Sequence, residues 1–345
     1  MDLETALRDQ VGRATGKPAA SLPIQKLKGD ASNRSYYRVG TAPASWVLMV
    51  MPPDAAKKSE EASKGDPPKE LPFVNVHRYL SRLGVRVPSI LRYDEPAGMM
   101  VLEDLGDVTF EQALGGGLHR QRLYTAAVDM LARLRAQAEA APDPACLAFT
   151  RAFDEDLYDW EFHHFREFGL EAWSGKVPTA TERSELDGHF RRVARQLAAE
   201  PRGFTHRDYQ SRNIMVKADE LVVIDFQDAL QAPRQYDLVA LLRDSYVELD
   251  RDFVDAMLDR YLETFARSGG ARLDATAFKK TFDLLTVQRK LKDAGRFEYI
   301  HRVKGNSSFL VSIPASLRYV QAAFERLPEL ADLRRRVARY VPQVG

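Results

Sequence analysis

The residues best suited to chemistry lie in one segment beyond the middle of the chain. His206, Arg207 and Asp208 are consecutive, Asn213 follows five residues after Asp208, and an apolar run ends at Asp225. A carboxylate can accept the proton of an alcohol, and amide and carboxylate oxygens are ligands that Mg²⁺ prefers. Phosphoryl transfer to an alcohol needs these groups, because the protein contributes mainly positioning and charge stabilisation to that reaction.

The spacing matches a kinase signature, H-R-D-x-x-x-x-N followed by a strand that ends in Asp. We expect Asp208 to be the catalytic base, and Asn213 and Asp225 to hold Mg²⁺ after a hairpin returns Asp225 beside the loop. An isolated H-R-D tripeptide arises by chance, and an isolated Asp can simply cap a strand. Their combination in a strand–turn–strand context is far more specific. Phe226 and Gln227 follow Asp225, so the glycine of D-F-G is replaced, which argues against a protein-kinase activation loop.

Strands and a turn-forming loop precede this segment. The predicted strands are 24–27, 36–39 and 46–51. The loop Gly29–Ser35 between the first two is rich in small residues, whose backbone N–H groups can approach phosphate. We therefore predict that Ser32, Asn33 and Arg34 bind the nucleotide. The loop lacks G-x-G-x-x-G, and by itself it is equally compatible with an ordinary hairpin turn.

The strand 46–51 lacks the lysine that a kinase normally carries there. Arg34 or Arg38 could supply the missing positive charge to the phosphates. The following segment, 54–69, is polar and charged and is predicted to be a surface insert. An amphipathic helix is predicted over 72–83, and it contains no glutamate that would pair with such a lysine.

The segment Glu103–Asp107 lies between a predicted buried strand and a helix, where a kinase places the hinge that binds adenine. The backbone C=O of Glu103 and the N–H of Leu105 form the acceptor–donor pair that adenine needs. The alternative is a plain strand-to-helix turn capped by Asp107 or Thr109. Both descriptions can hold at once.

The rest of the chain is predicted to be mainly helical, apart from a loop at 227–234. Asp237, at the start of the next helix, is expected to act structurally by capping that helix and reaching back to the catalytic loop backbone. From Leu284 onward, twelve basic residues stand against five acidic ones. Most are expected to be solvated, but Arg289, Lys292 and Arg296 share one helical face. They could line a pocket for an anionic or neutral acceptor rather than a polycation.

The composition of the 345 residues is that of an ordinary globular protein, with 45% hydrophobic and 29% charged residues. The formal net charge of +1 gives no reason to expect a nucleic-acid partner. Cys146 is the single cysteine, which excludes an internal disulfide framework. No apolar run approaches the roughly 20 residues of a membrane helix. We expect a cytoplasmic protein without a membrane partner.

The sequence resembles the aminoglycoside phosphotransferase family of small-molecule kinases over nearly its whole length. The similar segments are GDASNRSYYRV, LEDLGDVTF, THRDYQSRNIM, VIDFQDALQAPRQYDLVALLRD and QRKLKDAGRF. The resemblance implies an α+β, two-lobed, protein-kinase-like fold. It further implies a small β-rich N-lobe over 1–102, a hinge at 103–107 and a larger helical C-lobe over 108–345.

Within this family, the chain is most similar to bacterial kinases that phosphorylate N-acetylmuramate and N-acetylglucosamine at C1 in cell-wall recycling. The resemblance implies ATP and Mg²⁺ as cofactors and a small amino sugar as acceptor. It implies that Asp208 is the base, that Asn213 and Asp225 bind Mg²⁺, and that Glu103 and Leu105 bind adenine. It further suggests Asp228 and Arg289 as sugar contacts.

Other classes of function remain open to the sequence. An antibiotic kinase would need an acidic pocket for its polycationic acceptor, and the basic C-terminal region counts against it. A nucleotide-binding pseudokinase would explain the missing lysine but has no need for Asp208, Asn213 and Asp225 together. A protein kinase would require an activation segment ending in A-P-E, which the chain lacks.

Overall fold

A computed structural model describes residues 2–27, 34–52, 69–115 and 117–345. Contacts between Cα atoms divide the chain into two units. The first comprises Met1–Thr109 and Ile214–Asp228, and the second comprises Phe110–Asn213 and Ala229–Gly345. Ser32 and Asn33 lie outside the described residues, as does nearly all of the predicted insert at 54–69.

The first unit is built on an antiparallel five-stranded sheet with the order β1-β2-β3-β5-β4. Its elements along the chain are α1 (Leu3–Thr15), β1 (Ile24–Lys26), β2 (Ser35–Thr41), β3 (Ala44–Val50), α2 (Pro72–Arg82), β4 (Ile90–Asp94), β5 (Met99–Glu103), β7 (Ile214–Lys217) and β8 (Glu220–Val223). The strands predicted at 24–27, 36–39 and 46–51 are thus confirmed to within two residues, as is the helix predicted over 72–83.

Helix α1 covers one face of this sheet. Its apolar residues Leu7 and Val11 are fully buried against Val39, Leu48 and Val101 from three strands. Val39 and Tyr37 of β2 face α1. Because successive side chains of a strand point to opposite faces of the sheet, the residues next to them in β2 point to the other face. That second face is therefore the one available to the predicted nucleotide site within this unit.

The hairpin of β7 and β8 closes with a two-residue turn. Lys217 pairs with Glu220, and the intervening Ala218 and Asp219 have φ angles of 49° and 64°. Positive φ at both central residues is the geometry that matches the twist of a two-stranded hairpin. The predicted strand–turn–strand that leads from Asn213 to Asp225 is confirmed.

The second unit is mainly helical. Its elements are α3 (Phe110–Ala113), α4 (Gly117–Ala140), α5 (Glu155–His164), a π-helix (Phe165–Ala172), α6 (Ala180–Ala198), β6 (Arg202–Thr205), β9 (Leu230–Pro233), α7 (Tyr236–Leu242), α8 (Arg251–Arg267), α9 (Ala275–Lys304), α10 (Ile313–Arg326) and α11 (Ala331–Ala338). With a sheet-based first unit and a helical second unit, the predicted α+β class is confirmed. No helix in the described ranges is both long and apolar enough to span a membrane.

The prediction of a loop over 227–234 is wrong for its second half. Residues 230–233 form β9, which pairs antiparallel with β6 from Arg202↔Pro233 to Thr205↔Leu230. The sequence Leu-Gln-Ala-Pro has little intrinsic strand preference. Its extended conformation depends on a partner strand that is distant in the sequence.

Helix α9 is the long central element of the second unit, at 30 residues. The Asp274 side chain caps its first turn by accepting a hydrogen bond from Ala277 N at 2.7 Å, and Gly305 ends it with φ of 69°. It packs against α10 and the π-helix. The approach to the π-helix is close at Gly295, where an added Cβ would lie 2.8 Å from the Phe165 Cα.

Candidate active site

The predicted catalytic loop runs from His206 to Asn213 in the second unit and is anchored at its start by Asp237. The Asp237 carboxylate accepts hydrogen bonds from His206 N at 2.7 Å and Arg207 N at 2.9 Å. Burial raises the pKa of Asp237, more than the neighbouring His206 charge and the two N–H groups lower it. The prediction that Asp237 reaches back to the loop backbone is confirmed. The N-cap residue of α7 is Gln235, whose side chain makes no cap hydrogen bond.

A second buried carboxylate anchors the far end of the loop. Asp244 accepts hydrogen bonds from Ser211 N at 2.8 Å and from Tyr246 N at 3.1 Å. Sequence reasoning missed this residue. Its position seven residues after Asp237, just beyond the end of α7, is the signal that could have identified it. One short stretch of chain therefore holds both ends of the loop.

The loop backbone is strained next to the predicted base. Arg207 has φ of 80°, in the left-handed region that side chains other than glycine rarely adopt. Such a residue persists only when its surroundings fix it. Here Asp237 binds the Arg207 N–H, and Arg289 Nη1 donates to the Arg207 carbonyl at 2.8 Å.

Asp208 follows this strained residue, and its side chain remains 36% exposed. Its Oδ1 accepts a hydrogen bond from Arg289 Nη2 at 3.1 Å. Desolvation raises the pKa of Asp208, but the positive charges of Arg289, Arg207 and Lys292 outweigh that effect and hold the pKa below its usual value. The carboxylate is therefore ionised at neutral pH, as a group that accepts a proton must be.

Arg289 is a buried part of α9, with 2% of its surface exposed. Besides the catalytic loop, its guanidinium contacts the ring of Tyr236, 4.9 Å from the ring centroid. The contact of Arg289 with the sugar stays a prediction. The described contacts are to the base and to the loop carbonyl, so the structure favours a role in positioning Asp208.

Asn213 lies next to Asp208, as predicted. Its Nδ2 donates to the Asp208 backbone carbonyl at 3.0 Å. This bond orients the amide so that Oδ1 points away from the carbonyl. An amide oxygen is a suitable ligand for a hard cation.

Asp225 belongs to the first unit and also has a left-handed backbone, with φ of 63°. Gln227, which replaces the glycine of D-F-G, donates from Nε2 to Asp225 Oδ1 at 2.9 Å and to Asp228 Oδ2 at 3.2 Å. The replacement side chain thus orients the carboxylate predicted to bind metal. The predicted sugar contact of Asp228 stays a prediction.

The donor chemistry of these residues fits Mg²⁺. That ion usually binds one or two carboxylates, keeps several waters, and takes its remaining ligands from substrate phosphates. Across the described ranges, no three His, Cys, Asp or Glu side chains are grouped to hold a metal. The predicted ligand set consists of one carboxylate, Asp225, and one amide, Asn213. That both bind one ion stays a prediction.

The predicted hinge in the first unit is held by ion pairs. Glu103 Oε1 accepts from Arg86 Nη2 at 2.5 Å and from Lys217 Nζ at 2.9 Å. Desolvation raises the pKa of Glu103, but these two cations prevail and lower it to about 2. Lys217 also donates to the Asp104 carbonyl at 2.8 Å. Sequence reasoning missed Lys217, and the binding of adenine by the Glu103 and Leu105 backbone stays a prediction.

Arg38 also binds the hinge segment. Its Nε donates to Asp104 Oδ2 at 2.7 Å, and its Nη2 donates to Asp107 Oδ1 at 2.8 Å. These contacts are not those expected of a residue that binds nucleotide phosphates. Of the two arginines considered as replacements for the missing lysine, Arg34 is thereby favoured.

Arg34 and the predicted metal ligand Asp225 both act electrostatically on Tyr36 within the first unit. Burial raises the pKa of Tyr36, a hydrogen bond and the charge of Arg34 lower it, and the charge of Asp225 raises it again. The Tyr36 hydroxyl is therefore within electrostatic range of both Arg34 and Asp225. This places a cation and a carboxylate of the nucleotide prediction in one neighbourhood. Ser32 and Asn33, predicted to act with Arg34, lie outside the described residues.

Comparison with known proteins is consistent with this geometry. The profile of the phosphotransferase enzyme family, APH, matches residues 23–274. An N-acetylmuramate/N-acetylglucosamine kinase from Pseudomonas aeruginosa is 33% identical over 328 residues, 92% of this chain and 87% of the relative. A kinase of the same name from Neisseria meningitidis serogroup B is 30% identical, with 92% of this chain and 90% of the relative covered.

Among solved structures, the ADP-bound aminoglycoside phosphotransferase APH(2'')-Ib has a similar fold. Its TM-score is 0.59 at 12% identity, and the match covers 94% of this chain and 99% of that chain. The predicted two-lobed, protein-kinase-like fold is confirmed by this similarity. The length of the profile match and the identity to full-length relatives lead to one conclusion: the chain is a member of the APH phosphotransferase enzyme family.

Proposed function

We propose that the protein is an ATP-dependent kinase that phosphorylates the C1 hydroxyl of N-acetylmuramate or N-acetylglucosamine. The relatives that match nearly the whole chain carry the name of that kinase. The observation that carries the proposal is the arrangement of Asp208. An ionised, partly exposed carboxylate is fixed by Arg289 and lies beside Asn213.

In the proposed reaction, Asp208 accepts the proton of the C1 hydroxyl as that oxygen forms a bond to the γ-phosphorus of ATP. The bond from that phosphorus to the bridging oxygen breaks, and ADP leaves with the electron pair. Arg289 holds one oxygen of Asp208, so the other oxygen of the carboxylate is the one directed to the acceptor. The products are ADP and a sugar 1-phosphate, which suits a role in recycling cell-wall sugars.

Mg²⁺ is part of the proposal, and when bound it would offset the negative charge of the phosphates. Asn213 and Asp225 would hold it through their amide and carboxylate oxygens. Gln227 keeps the Asp225 carboxylate oriented, and the bond from Asn213 Nδ2 to the Asp208 carbonyl keeps the Asn213 amide oxygen turned away from that carbonyl. In the first unit, Glu103, Leu105 and Arg34 would bind the nucleotide.

The test is ATP consumption by the purified protein with Mg²⁺ and, separately, N-acetylmuramate, N-acetylglucosamine, glucose, galactose and kanamycin. Phosphorus NMR of each product identifies the phosphorylated position. A sugar 1-phosphate from either amino sugar is expected. Turnover of kanamycin alone would refute the amino-sugar assignment, and ATP binding without turnover of any acceptor would refute the kinase assignment.

Asp208→Asn provides the residue-level test. The amide keeps the size of the side chain but cannot take the proton, so turnover should fall by about 10²- to 10⁴-fold. Binding of ATP, measured by calorimetry, should change little. Asp252→Asn, an exposed residue of the first turn of α8, is the matched control. Undiminished turnover in Asp208→Asn would remove Asp208 from the role of base.

A further inference from the structure

A strip of residues on α9 leads outward from the proposed base. We call Arg289, Lys292, Arg296 and Tyr299 the acceptor strip, because their spacing places them on one side of the helix. Their exposure increases along the helix. Arg289 is buried against the catalytic loop, the side chain of Lys292 is 17% exposed, and Arg296 and Tyr299 are partly exposed.

Lys292 is the first residue of the strip after Arg289. Three residues along a helix correspond to a rise of about 4.5 Å. Its charge helps to lower the pKa of Asp208, so its ammonium lies within electrostatic range of the base. Lys292 is therefore placed to meet a substituent of the same molecule whose hydroxyl contacts Asp208.

Burial lowers the pKa of Lys292, but neighbouring carboxylates, chiefly Asp293, outweigh that effect and raise it, so its ammonium group is charged. Its Nζ lies 3.1 Å from Asp293 Oδ1, but Asp293 also accepts a hydrogen bond from Lys290 Nζ at 2.6 Å. One carboxylate thus serves two ammonium groups. Lys290 is buried, and its Nζ also donates a hydrogen bond to Ser245 Oγ at 2.8 Å. Of the two lysines, Lys292 is the more exposed, with 17% of its side chain accessible against 2% for Lys290.

The outer end of the strip is aromatic. The guanidinium of Arg296 lies 5.0 Å from the ring centroid of Tyr299, whose ring lies 5.1 Å from that of His164. His164 stacks on Trp160 with a centroid distance of 5.5 Å, and 43% of Trp160 is exposed. His164 ends α5 where the π-helix begins, and π-helical turns occur frequently at functional sites. A cationic segment followed by exposed rings suits an acceptor with both an anionic and an apolar side.

We propose that Lys292 binds the carboxylate of an acidic acceptor sugar and so determines how well the enzyme uses it relative to a neutral sugar. This inference rests on the proposed function, in which the acceptor hydroxyl lies at Asp208. N-acetylmuramate carries such a carboxylate on its lactyl group, and N-acetylglucosamine carries none. Lys292 is thus a specificity residue for one of the two acceptors.

The experiment compares Lys292→Gln with the wild-type protein on both sugars. KM for N-acetylmuramate should rise by about tenfold to a hundredfold, the range for losing a hydrogen bond between charged groups. Loss of the Lys292 charge also acts on Asp208 and thus on both sugars alike, so the ratio of the two KM values is the quantity that tests the carboxylate contact. Lys280→Gln is the matched control, since Lys280 is an exposed residue of the same helix whose Nζ pairs with Glu329 at 2.7 Å.

An equal loss with both sugars would overturn the proposal, because Lys292 would then act on a part that the acceptors share. No change with either sugar would overturn it too. A second measurement uses wild-type protein only and does not depend on the folding of a variant. The carboxamide of N-acetylmuramate should show a raised KM relative to the free acid, and equal KM values would refute the carboxylate contact. Wild-type protein that phosphorylates neither sugar would instead refute the proposed function, a result that is seen before any variant is made.

Discussion

Arg289 Nη2 lies 3.1 Å from Asp208 Oδ1, while Nη1 of the same guanidinium binds the Arg207 carbonyl at 2.8 Å. One side chain of α9 thus holds both the strained residue before the proposed base and the base itself. The contact joins positions 81 residues apart in the chain. Its consequence is a carboxylate that is fixed in direction and kept ionised.

Replacing this cation should change the pH dependence of turnover. In Arg289→Gln the pKa of Asp208 loses the largest factor that lowers it, so the pKa should rise. A base must be ionised to act, so the acid limb of the kcat/KM profile should move to higher pH. Arg289→Lys should move it less, and Arg302→Gln on the same helix should leave it in place. An acid limb that is unmoved in Arg289→Gln would mean that the pair does not set the ionisation of the base.

Asp237→Asn should damage both stability and turnover. The carboxylate accepts two backbone N–H groups, whereas an amide can accept only with its oxygen and would turn its NH₂ towards one of them. Leaving one buried N–H without its acceptor costs about 1–3 kcal/mol, which urea unfolding would measure. The value of kcat should fall because His206 and Arg207, the two residues before Asp208, lose their anchor. Asp219→Asn, in the exposed turn of the β7–β8 hairpin, serves as the control. If Asp237→Asn kept both the wild-type free energy of unfolding and the wild-type kcat, the anchoring role would be contradicted.

Two variants, Arg34→Gln and Arg38→Gln, should distinguish binding of the ATP phosphates from binding of adenine at the predicted hinge. If Arg34 replaces the missing lysine, Arg34→Gln should weaken ATP binding by about tenfold while adenosine binding is unchanged. Arg38 binds Asp104 and Asp107, so Arg38→Gln should affect ATP and adenosine alike. Calorimetry measures Kd for ATP and for adenosine in each variant, and the ratio of the two Kd values is compared with that of the wild-type protein. A selective loss of ATP affinity in Arg38→Gln alone would reverse the two assignments.

Glu103 should make stability depend on pH. Its pKa is lowered to about 2 in the folded protein, below the usual value of an unfolded glutamate of about 4.3. A carboxyl with a depressed pKa contributes stability that is complete above the unfolded pKa and is lost as pH falls through the folded value. The difference in urea midpoint between the wild-type protein and Glu103→Gln should therefore be constant near neutral pH and shrink below about pH 4. A difference that stays constant to pH 3 would show that the pairs with Arg86 and Lys217 do not stabilise the fold.

The conformation of the chain from His206 to Asp225 was largely predictable from the sequence because its signals are local. The spacing from Asp208 to Asn213 and the strand–turn–strand to Asp225 depend on neighbours along the chain, and Asp237 was identified from the start of its helix. The contacts of Arg289 and of Lys217 were not predictable, since both join distant segments and neither arginine nor lysine has a local signature for its partner. Strand β9 was missed for a similar reason, because its pairing with β6 outweighs a weak intrinsic preference.

The bond from Lys217 to the hinge has a mechanical consequence. Lys217 ends β7, and β8 of the same hairpin leads directly to Asp225. Lys217 binds both Glu103 and the Asp104 carbonyl, and so it connects the hinge segment to that hairpin. The position of the hinge segment is therefore linked to the position of the hairpin. A nucleotide with its adenine at the predicted hinge and its Mg²⁺ on Asp225 would therefore contact two segments that Lys217 already joins.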